Sequence, residues 1–325
     1  MPFTPESATL VTLSLVELLN SSHLVYVRFT LTDIAVATEK TNDLQQRVST
    51  GKRPYLVFTS AGDRTNLRMW LAEDRRFDLW ITYYGDDPNT LEGYGDYWVC
   101  RKGSKFQNLR AAYQCWPDVF VRYEAVLVLD DDVLIRASDI DRLFALRAAH
   151  DLWLLQPAFD PRGKISWEIT KVNPHCRLRY TNFVEMTCPL FRQDKLADFM
   201  VVYDPELVGF GVDWWFLHVL GTDIRGRVAV IDEIVCLNPH DRTKGRVREI
   251  NRLQPYEVRK RKWAEMKRRL GIKGEDGGTR EYGRLSRQWY QSVGPVCLYR
   301  GYELMVSLRW VAWAIKSWVR ARLPE

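Results

Sequence analysis

Apolar runs separated by turn clusters mark the middle of the chain. Residues 55–60 are apolar and rich in β-formers, and they stop at Ala-Gly-Asp, which predicts a buried strand entering a tight loop. Residues 77–84 and 124–129 predict two more strands, the second ending abruptly at three aspartates. Continuous apolar runs of this kind are typical of strands covered on both faces.

Amphipathic stretches and further short runs alternate with these strands. The pattern predicts a helix over residues 105–121 and another to about His150, begun by Ser138 with Asp141 three residues later. The remaining elements predicted are strands at 152–157, 228–231 and 234–237, an extended segment at 179–191, and helices at 193–202 and 212–220.

Strand and helix alternate from about residue 54 to residue 240, which indicates an α/β domain with one mixed, mainly parallel sheet flanked by helices. Ligands bind beyond the carboxyl ends of the strands in such sheets. We therefore divide the chain into an N-terminal extension (1–50), a catalytic domain (51–245) and a basic helical C-terminal extension (246–325).

Charge is distributed unevenly along the 325 residues. The net charge is +6, with 47 Lys and Arg against 41 Asp and Glu, but residues 241–325 alone hold 21 basic and 9 acidic side chains. A basic block favours phosphate-bearing partners, whereas a solvated helix face is the simpler alternative. The 46% apolar content excludes a disordered chain.

Six cysteines are scattered singly, so reduced thiols are expected rather than a zinc or redox motif. The first six residues include no Lys or Arg, unlike the start of a signal peptide, and charged residues interrupt each long apolar stretch. These features predict a cytoplasmic protein without a transmembrane helix.

The three aspartates after the 124–129 strand are the sharpest chemical feature. Alternation along a strand points Asp130 and Asp132 the same way, where their charges repel unless a cation lies between them. Carboxylate oxygens suit Mg²⁺ or Mn²⁺. The alternative is an ordinary solvated turn.

Seven stretches resemble the family known as domain of unknown function 707, whose members are thought to adopt the glycosyltransferase A fold. They span about residues 54 to 240 in the family's order: 59–64 (TSAGDR), 77–78 (FD) with 83–85 (YYG), 105–109 (KFQNL), 129–132 (LDDD), 156–158 (QPA), 179–185 (RYTNFVE) and 209–214 (GFGVDW). The resemblance leaves out both ends of the chain.

The resemblance implies a glycosyltransferase A-like fold and a transferase that uses a nucleoside-diphosphate sugar, with UDP the favoured nucleotide. Asp130 and Asp132 would hold Mn²⁺ or Mg²⁺ on the donor diphosphate, with His240 as a third ligand or merely a surface residue. The other donor contacts it implies are Ser60, Asp63, Arg64, Lys105, Asn108, Asp130 and Asp131. Strand-end turns and a solvated helix start are the alternatives for these residues.

The glycine-rich stretch at 209–213 resembles the loop that carries the catalytic acid in many inverting enzymes of this fold. Asp213 is the predicted general base and Glu185 the second choice, although Asp213 is equally well read as a helix cap. Asn182, Phe210 and Trp214 are expected at the acceptor, with Phe210 in a place where the family more often has Trp.

The C-terminal 302–322 stretch predicts an amphipathic helix, with apolar residues four and three apart and three tryptophans. We expect it to attach the protein peripherally to the inner, cytoplasmic face of an anionic membrane, where a glycan or lipid-linked acceptor is found; packing on the catalytic domain is the alternative. Nucleic acid is not expected. The rival to an inverting transferase is a non-catalytic protein that binds a membrane or nucleic acid through this tail.

Overall fold

One ten-stranded sheet organises the protein. A computed structural model describes residues 45–46, 53–87, 90–221, 223–240 and 249–320, so most of the predicted N-terminal extension lies outside the described residues. The strands are β1 (Gln45–Gln46), β2 (Tyr55–Ala61), β3 (Phe77–Tyr83), β4 (Tyr97–Cys100), β5 (Ala125–Val128), β6 (Leu154–Phe159), β7 (Cys176–Thr181), β8 (Leu190–Arg192), β9 (Val228–Cys236) and β10 (Glu281–Ser286).

The strand order is β1-β4-β3-β2-β5-β8-β6-β9-β7-β10. Strands β1, β7 and β8 run opposite to the other seven. The helices are α1 (Lys105–Cys115), α2 (Pro117–Phe120), α3 (Ala137–Ala149), α4 (Gln193–Val202), α5 (Val212–Val219), α6 (Glu249–Leu253), α7 (Tyr256–Leu270) and α8 (Trp289–Arg320). The expected class, a mixed and mainly parallel sheet flanked by helices, is confirmed.

Side chains of β2 divide between two apolar cores because successive residues of a strand point to opposite faces. Leu56 and Phe58 lie in the core that α1, α4 and α5 cover. Tyr55 and Val57 lie in the other core, where the Tyr55 ring stacks on Phe144 of α3 at 4.4 Å. Both faces of the sheet are therefore covered at β2, which explains why its residues 55–58 are continuously apolar.

Two predicted helices have different limits in the structure. The helix expected over 105–121 breaks into α1 and α2 at Trp116, because Pro117 has no N–H to continue the ladder. The next helix begins at Ala137, with Arg136 as its N-cap and Asp139 in its first turn. The cap predicted at Ser138 is therefore wrong.

Strands were predicted less completely than helices. The extended segment expected at 179–191 is two strands, β7 and β8, separated by a loop, and the two strands expected at 228–237 are the single strand β9. Strands β4 and β10 were not predicted; β10 lies at the sheet edge, and its partner β7 is about a hundred residues away in sequence.

Part of the predicted C-terminal extension belongs to the domain itself. Strand β10 pairs with β7, and Trp263 of α7 is 1% exposed in the same core as Phe106. The Trp263 ring packs so closely on the Gly211 backbone that a Cβ at residue 211 would approach it to 2.2 Å. The segment is thus a strand and a core helix as well as the long helix α8.

Two negative findings concern the described residues. No helix among them has the length and apolarity needed to cross a membrane. All six cysteines lie within the described ranges and are free thiols, as expected from their spacing.

Candidate functional site

The acidic loop, residues 130–132, follows β5 and is hydrogen-bonded to the loop after β2. These strands are parallel neighbours, so their carboxyl ends meet at one edge of the sheet. The Gly62 amide donates to Asp131 Oδ2 at 3.0 Å, while the Asn66 amide and the Thr65 hydroxyl donate to the Asp131 carbonyl at 2.7 and 2.9 Å. Asp131 therefore fixes the acidic loop from within.

The three carboxylates have different surroundings. Desolvation raises the pKa of Asp131 well above its ordinary range, and the neighbouring Asp132 and Asp130 charges add to the shift. The Asp130 side chain is 39% exposed and Asp132 is exposed. The first and third aspartates thus remain accessible to a ligand, while Asp131, expected at the donor, is engaged with the protein.

Lys105, the first residue of α1, is 8% exposed. Its ammonium lies 2.7 Å from Asp130 Oδ1 and donates to the carbonyls of Met186 and Thr187 at 2.7 and 2.8 Å. The Val128 carbonyl is 3.2 Å away. Lys105 was expected to contact a donor phosphate. In the structure it instead forms an ion pair with Asp130 and links the acidic loop to residues 186–187 by hydrogen bonds.

Asn108, one turn later on α1, is also turned inward. Its Nδ2 donates to Ser60 Oγ at 3.0 Å and to the Gly103 carbonyl at 3.2 Å, while its Oδ1 accepts from Arg101 Nη1 at 2.5 Å. Both ends of the amide are therefore engaged by the chain's own groups. Ser60 and Asn108, expected at the donor, link the end of β2 to the loop before α1.

Asp63 and Arg64 lie exposed at the mouth of the β2 loop. The Tyr83 hydroxyl donates to Asp63 Oδ1, and no hydrogen bond or ion pair of Arg64 is found among the described residues. Arg64 is thus accessible to an anion, and its contact with a donor stays a prediction.

Tyr84 was missed as a site residue. A Cβ added at Gly62 would lie 2.8 Å from the Tyr84 ring. Burial and the charges of the three aspartates raise the pKa of the Tyr84 hydroxyl. The signal was available in the sequence, because Tyr84 follows β3, whose carboxyl end lies beside that of β2.

Glu185 lies in the loop between β7 and β8 and is 6% exposed. Its amide donates to Gln156 Oε1 at 2.6 Å and its Oε1 accepts from the Thr187 hydroxyl at 3.0 Å, but Oε2 is buried and makes no hydrogen bond of ordinary geometry with the described residues. Burial raises the pKa of Glu185, and the Asp130 charge adds to it. A buried carboxylate is thus held near the acidic loop.

Asp213 lies in the first turn of α5, after Gly211, the N-cap residue, whose φ is +88°. It is 7% exposed, and the Trp214 amide donates to its Oδ1 at 2.9 Å. Burial raises the pKa of Asp213 to about 7, with the Glu185 charge contributing. Asp213 is therefore a first-turn acid rather than the cap residue, and it is poised to exchange a proton near neutral pH.

The residues expected at the acceptor are held by protein contacts. Asn182 clamps the C-terminal segment, since its Nδ2 donates to the Gly278 carbonyl at 2.9 Å and its Oδ1 accepts from the Arg280 amide at 2.6 Å. Trp214 is buried, with its ring centroid 4.7 Å from that of Phe183. Phe210 and Asn182 are partly exposed, and the Phe210 ring lies edge-on to Tyr256.

A divalent cation suits the chemistry of the exposed carboxylates, because Asp130 and Asp132 offer hard oxygen ligands. Leu134 and Leu237 form an antiparallel bridge. The acidic loop before Leu134 and the segment after Leu237 therefore lie on the same side of this bridge. His240, which is exposed, lies three residues after Leu237. Within the described residues, however, no three His, Cys, Asp or Glu side chains group closely enough to hold an ion. A cation here would need ligands from a bound diphosphate or water.

Comparison with known proteins gives no family. No family model matches the chain, and no curated protein matches it. Among solved structures it is similar to S. aureus TarS in complex with UDP-GlcNAc (14% identity, 62% of this chain and 65% of that chain, TM-score 0.42) and to a mycobacterial protein (13%, 75% and 89%, 0.43). The chain spans less than two thirds of the length of the TarS structures that it matches. A function for this chain must therefore come from its own side chains.

Proposed function

We propose that this protein is a metal-dependent glycosyltransferase that uses a nucleoside-diphosphate sugar and inverts the anomeric centre. One observation carries the proposal: the partly exposed carboxylate of Asp130, at the carboxyl end of β5, interacts electrostatically with a buried acid, Glu185, which in turn interacts with a second buried acid, Asp213. An open acidic loop suits a cation and its phosphates, and a buried carboxyl suits proton transfer.

Asp130 and Asp132 would hold the divalent cation, and His240 is the candidate for a further ligand. A bound cation neutralises the charge that develops on a leaving diphosphate. In the structure, the Lys105 ammonium orients the Asp130 carboxylate, and the Gly62 amide holds the acidic loop through Asp131. The remaining donor contacts that we propose are Tyr84 and Arg64, at the ends of the neighbouring strands.

Asp213 is the proposed general base. As the acceptor oxygen attacks the anomeric carbon, the new C–O bond forms, the bond to the diphosphate oxygen breaks, and the acceptor proton passes to the Asp213 carboxylate. A base with a pKa of about 7 is largely deprotonated just above neutral pH and still accepts a proton readily. Glu185 is the alternative base, since it is also buried and burial raises its pKa.

The partners that we propose are a UDP-sugar as donor and a glycan or lipid-linked acceptor at a membrane surface. The rival function is a non-catalytic protein that binds anionic surfaces through its basic tail. The exposed cations of α7, among them Lys260, Arg261, Arg268 and Arg269, favour an anionic surface in either case.

A panel of nucleoside diphosphates, with and without Mn²⁺, tests the proposal by thermal unfolding. A ligand at 100 times its dissociation constant stabilises the folded state by about 2.7 kcal/mol. We expect stabilisation by one nucleotide, with UDP first, and only when Mn²⁺ or Mg²⁺ is present. The absence of a metal-dependent shift with every nucleotide would favour the rival.

A further inference from the structure

Helix α8 has an anchored half and an exposed half. It is 32 residues long, about 48 Å at 1.5 Å per residue. In the anchored half Ser292 is buried, the Tyr299 ring packs on a small core of Ala158, Val172 and Val230, and Glu303 Oε1 lies 3.2 Å from Lys171 Nζ. The helix is therefore fixed to the domain up to Glu303.

Beyond that ion pair the described helix leaves the domain. Every residue from 303 to 312 is exposed, although this stretch is mostly apolar. Leu304 is 63% exposed, Leu308 60%, Trp310 68% and Val311 53%. Large apolar side chains concentrated in this way on a soluble surface mark an interaction site.

The charges of this half indicate which kind of partner covers it. From residue 304 to residue 320 the sequence contains Arg309, Lys316 and Arg320 and no acid. On a helical wheel these cations form one strip, flanked by apolar residues on both sides. Two copies of such a helix would bring like charges together without acidic partners, whereas an anionic surface would complement them.

A lipid interface also fits the exposed residues. Trp settles at the level of the lipid headgroups, Leu and Val enter the acyl boundary, and long basic side chains reach back to phosphates. The basic helix α7 adds Arg261 and Arg268, both exposed, as further sources of attraction to anionic lipid. No described helix is apolar enough to cross the bilayer, so the helix would lie on it.

We infer that α8 beyond Glu303 is an interfacial helix that docks this protein on an anionic phospholipid bilayer. The inference does not depend on the proposed catalysis, because the helix residues that carry it are separate from the acidic loop and from Asp213.

Co-sedimentation of the full chain with vesicles tests this inference. We expect binding to vesicles of equimolar phosphatidylglycerol and phosphatidylcholine, weaker binding to phosphatidylcholine alone, and a decrease as salt is raised. Leu308→Asp should lower the partition coefficient at least about tenfold further than its matched control, Leu298→Asp, in the anchored half of the same helix. The two variants make the same substitution at similarly exposed leucines, 60% and 55%, so the difference between them reports apolar insertion of the half beyond Glu303.

Three results would overturn the inference: no binding of the unaltered chain to anionic vesicles, equal binding of the two variants, or a lipid-free dimer that Leu308→Asp dissociates. The last result, measured by light scattering, would assign the face to a second copy of the chain. Nucleotide-dependent thermal stabilisation should be unchanged in Leu308→Asp, so that failure of membrane docking and failure of the proposed catalysis are distinguishable.

Discussion

The Lys105 ammonium lies 2.7 Å from Asp130 Oδ1 and also contacts the carbonyls of three residues from two separate segments of the chain. A single buried cation thus sets the position of the first aspartate and joins its loop to the one that carries Glu185. The Asp130 amide adds a second link by donating to the Thr187 carbonyl at 2.9 Å.

Lys105→Met should lower the free energy of unfolding by about 2 to 4 kcal/mol, since the half-buried Met186 carbonyl and the buried Thr187 carbonyl lose their donor. Affinity for donor and Mn²⁺ should fall as well, because Asp130 loses its orientation. Urea unfolding and nucleotide titration measure the two effects. Lys102→Met is the control: this exposed lysine pairs with Asp86 at the surface, and its loss should cost less than about 1 kcal/mol.

Asp130→Asn and Asp132→Asn should each abolish the metal-dependent part of nucleotide binding. Each removes one anionic oxygen ligand from a site that has few, and Mg²⁺ and Mn²⁺ depend on such ligands. Isothermal titration with UDP, with and without Mn²⁺, measures the loss. Asp74→Asn, an exposed acid at the opposite end of β3, should bind like the unaltered protein. Undiminished binding in both site variants would contradict the metal assignment.

Asp213→Asn should leave donor affinity unchanged and lower turnover by about 10² to 10⁴, the usual contribution of a general base. If the proposed activity is correct, kcat/KM of the unaltered protein should rise with pH through about 7, where Asp213 loses its proton, and the variant should lack that rise. Steady-state rates across pH measure both. If Glu185→Gln loses turnover in this way and Asp213→Asn does not, Glu185 is the base.

Asp213 also makes the stability of the fold depend on pH. Its pKa rises from 3.8 in a model peptide to about 7, so the folded state keeps a proton that the unfolded chain releases. Its contribution to stability is therefore complete below about pH 4 and declines as pH rises toward 7. Asp213→Asn removes this decline and should gain about 2 to 4 kcal/mol relative to the unaltered protein between pH 4 and pH 8. Urea unfolding at both pH values tests this; an unchanged difference would contradict it.

Gly211→Ala should destabilise the protein by more than Gly221→Ala. Both glycines have a left-handed φ, +88° and +86°, so both substitutions carry the same backbone strain. A Cβ at residue 211 would meet the Trp263 ring at 2.2 Å, whereas nothing described lies within 4 Å of one at residue 221. Thermal unfolding should separate the two by about 1 to 3 kcal/mol. Equal losses would mean that Trp263 moves aside freely.

The sequence predicted the elements whose signal is local. Strand β2 and the helix over residues 193–202 appear where their apolar patterns placed them, and the turn residues of the acidic loop follow β5 as expected. These elements are specified by residues close together in the chain, so the apolar periodicity and the turn residues were sufficient to predict them.

Contacts between distant segments could not be predicted in the same way. The polar appearance of Lys105 and Asn108 suggested solvent or ligand, but Lys105 pairs with Met186 and Thr187, 81 and 82 residues away. Strand β10 alternates exposed and half-buried residues, and only its pairing with β7 defines it. A single sequence gives no information on which distant carbonyl a lysine will meet.

The packing of Trp263 on Gly211 has a consequence for the order in which the protein is made. Trp263 follows Gly211 by about fifty residues, so at a synthesis rate of about 5 to 20 residues per second it is added roughly 3 to 10 s later. During that interval the strands that end at the acidic loop have been synthesised, while the loop before Asp213 lacks the ring that supports it. The nascent chain therefore contains the acidic loop before the packing around Asp213 is complete, and a ribosome stalled within this stretch would carry only the first half of the proposed site.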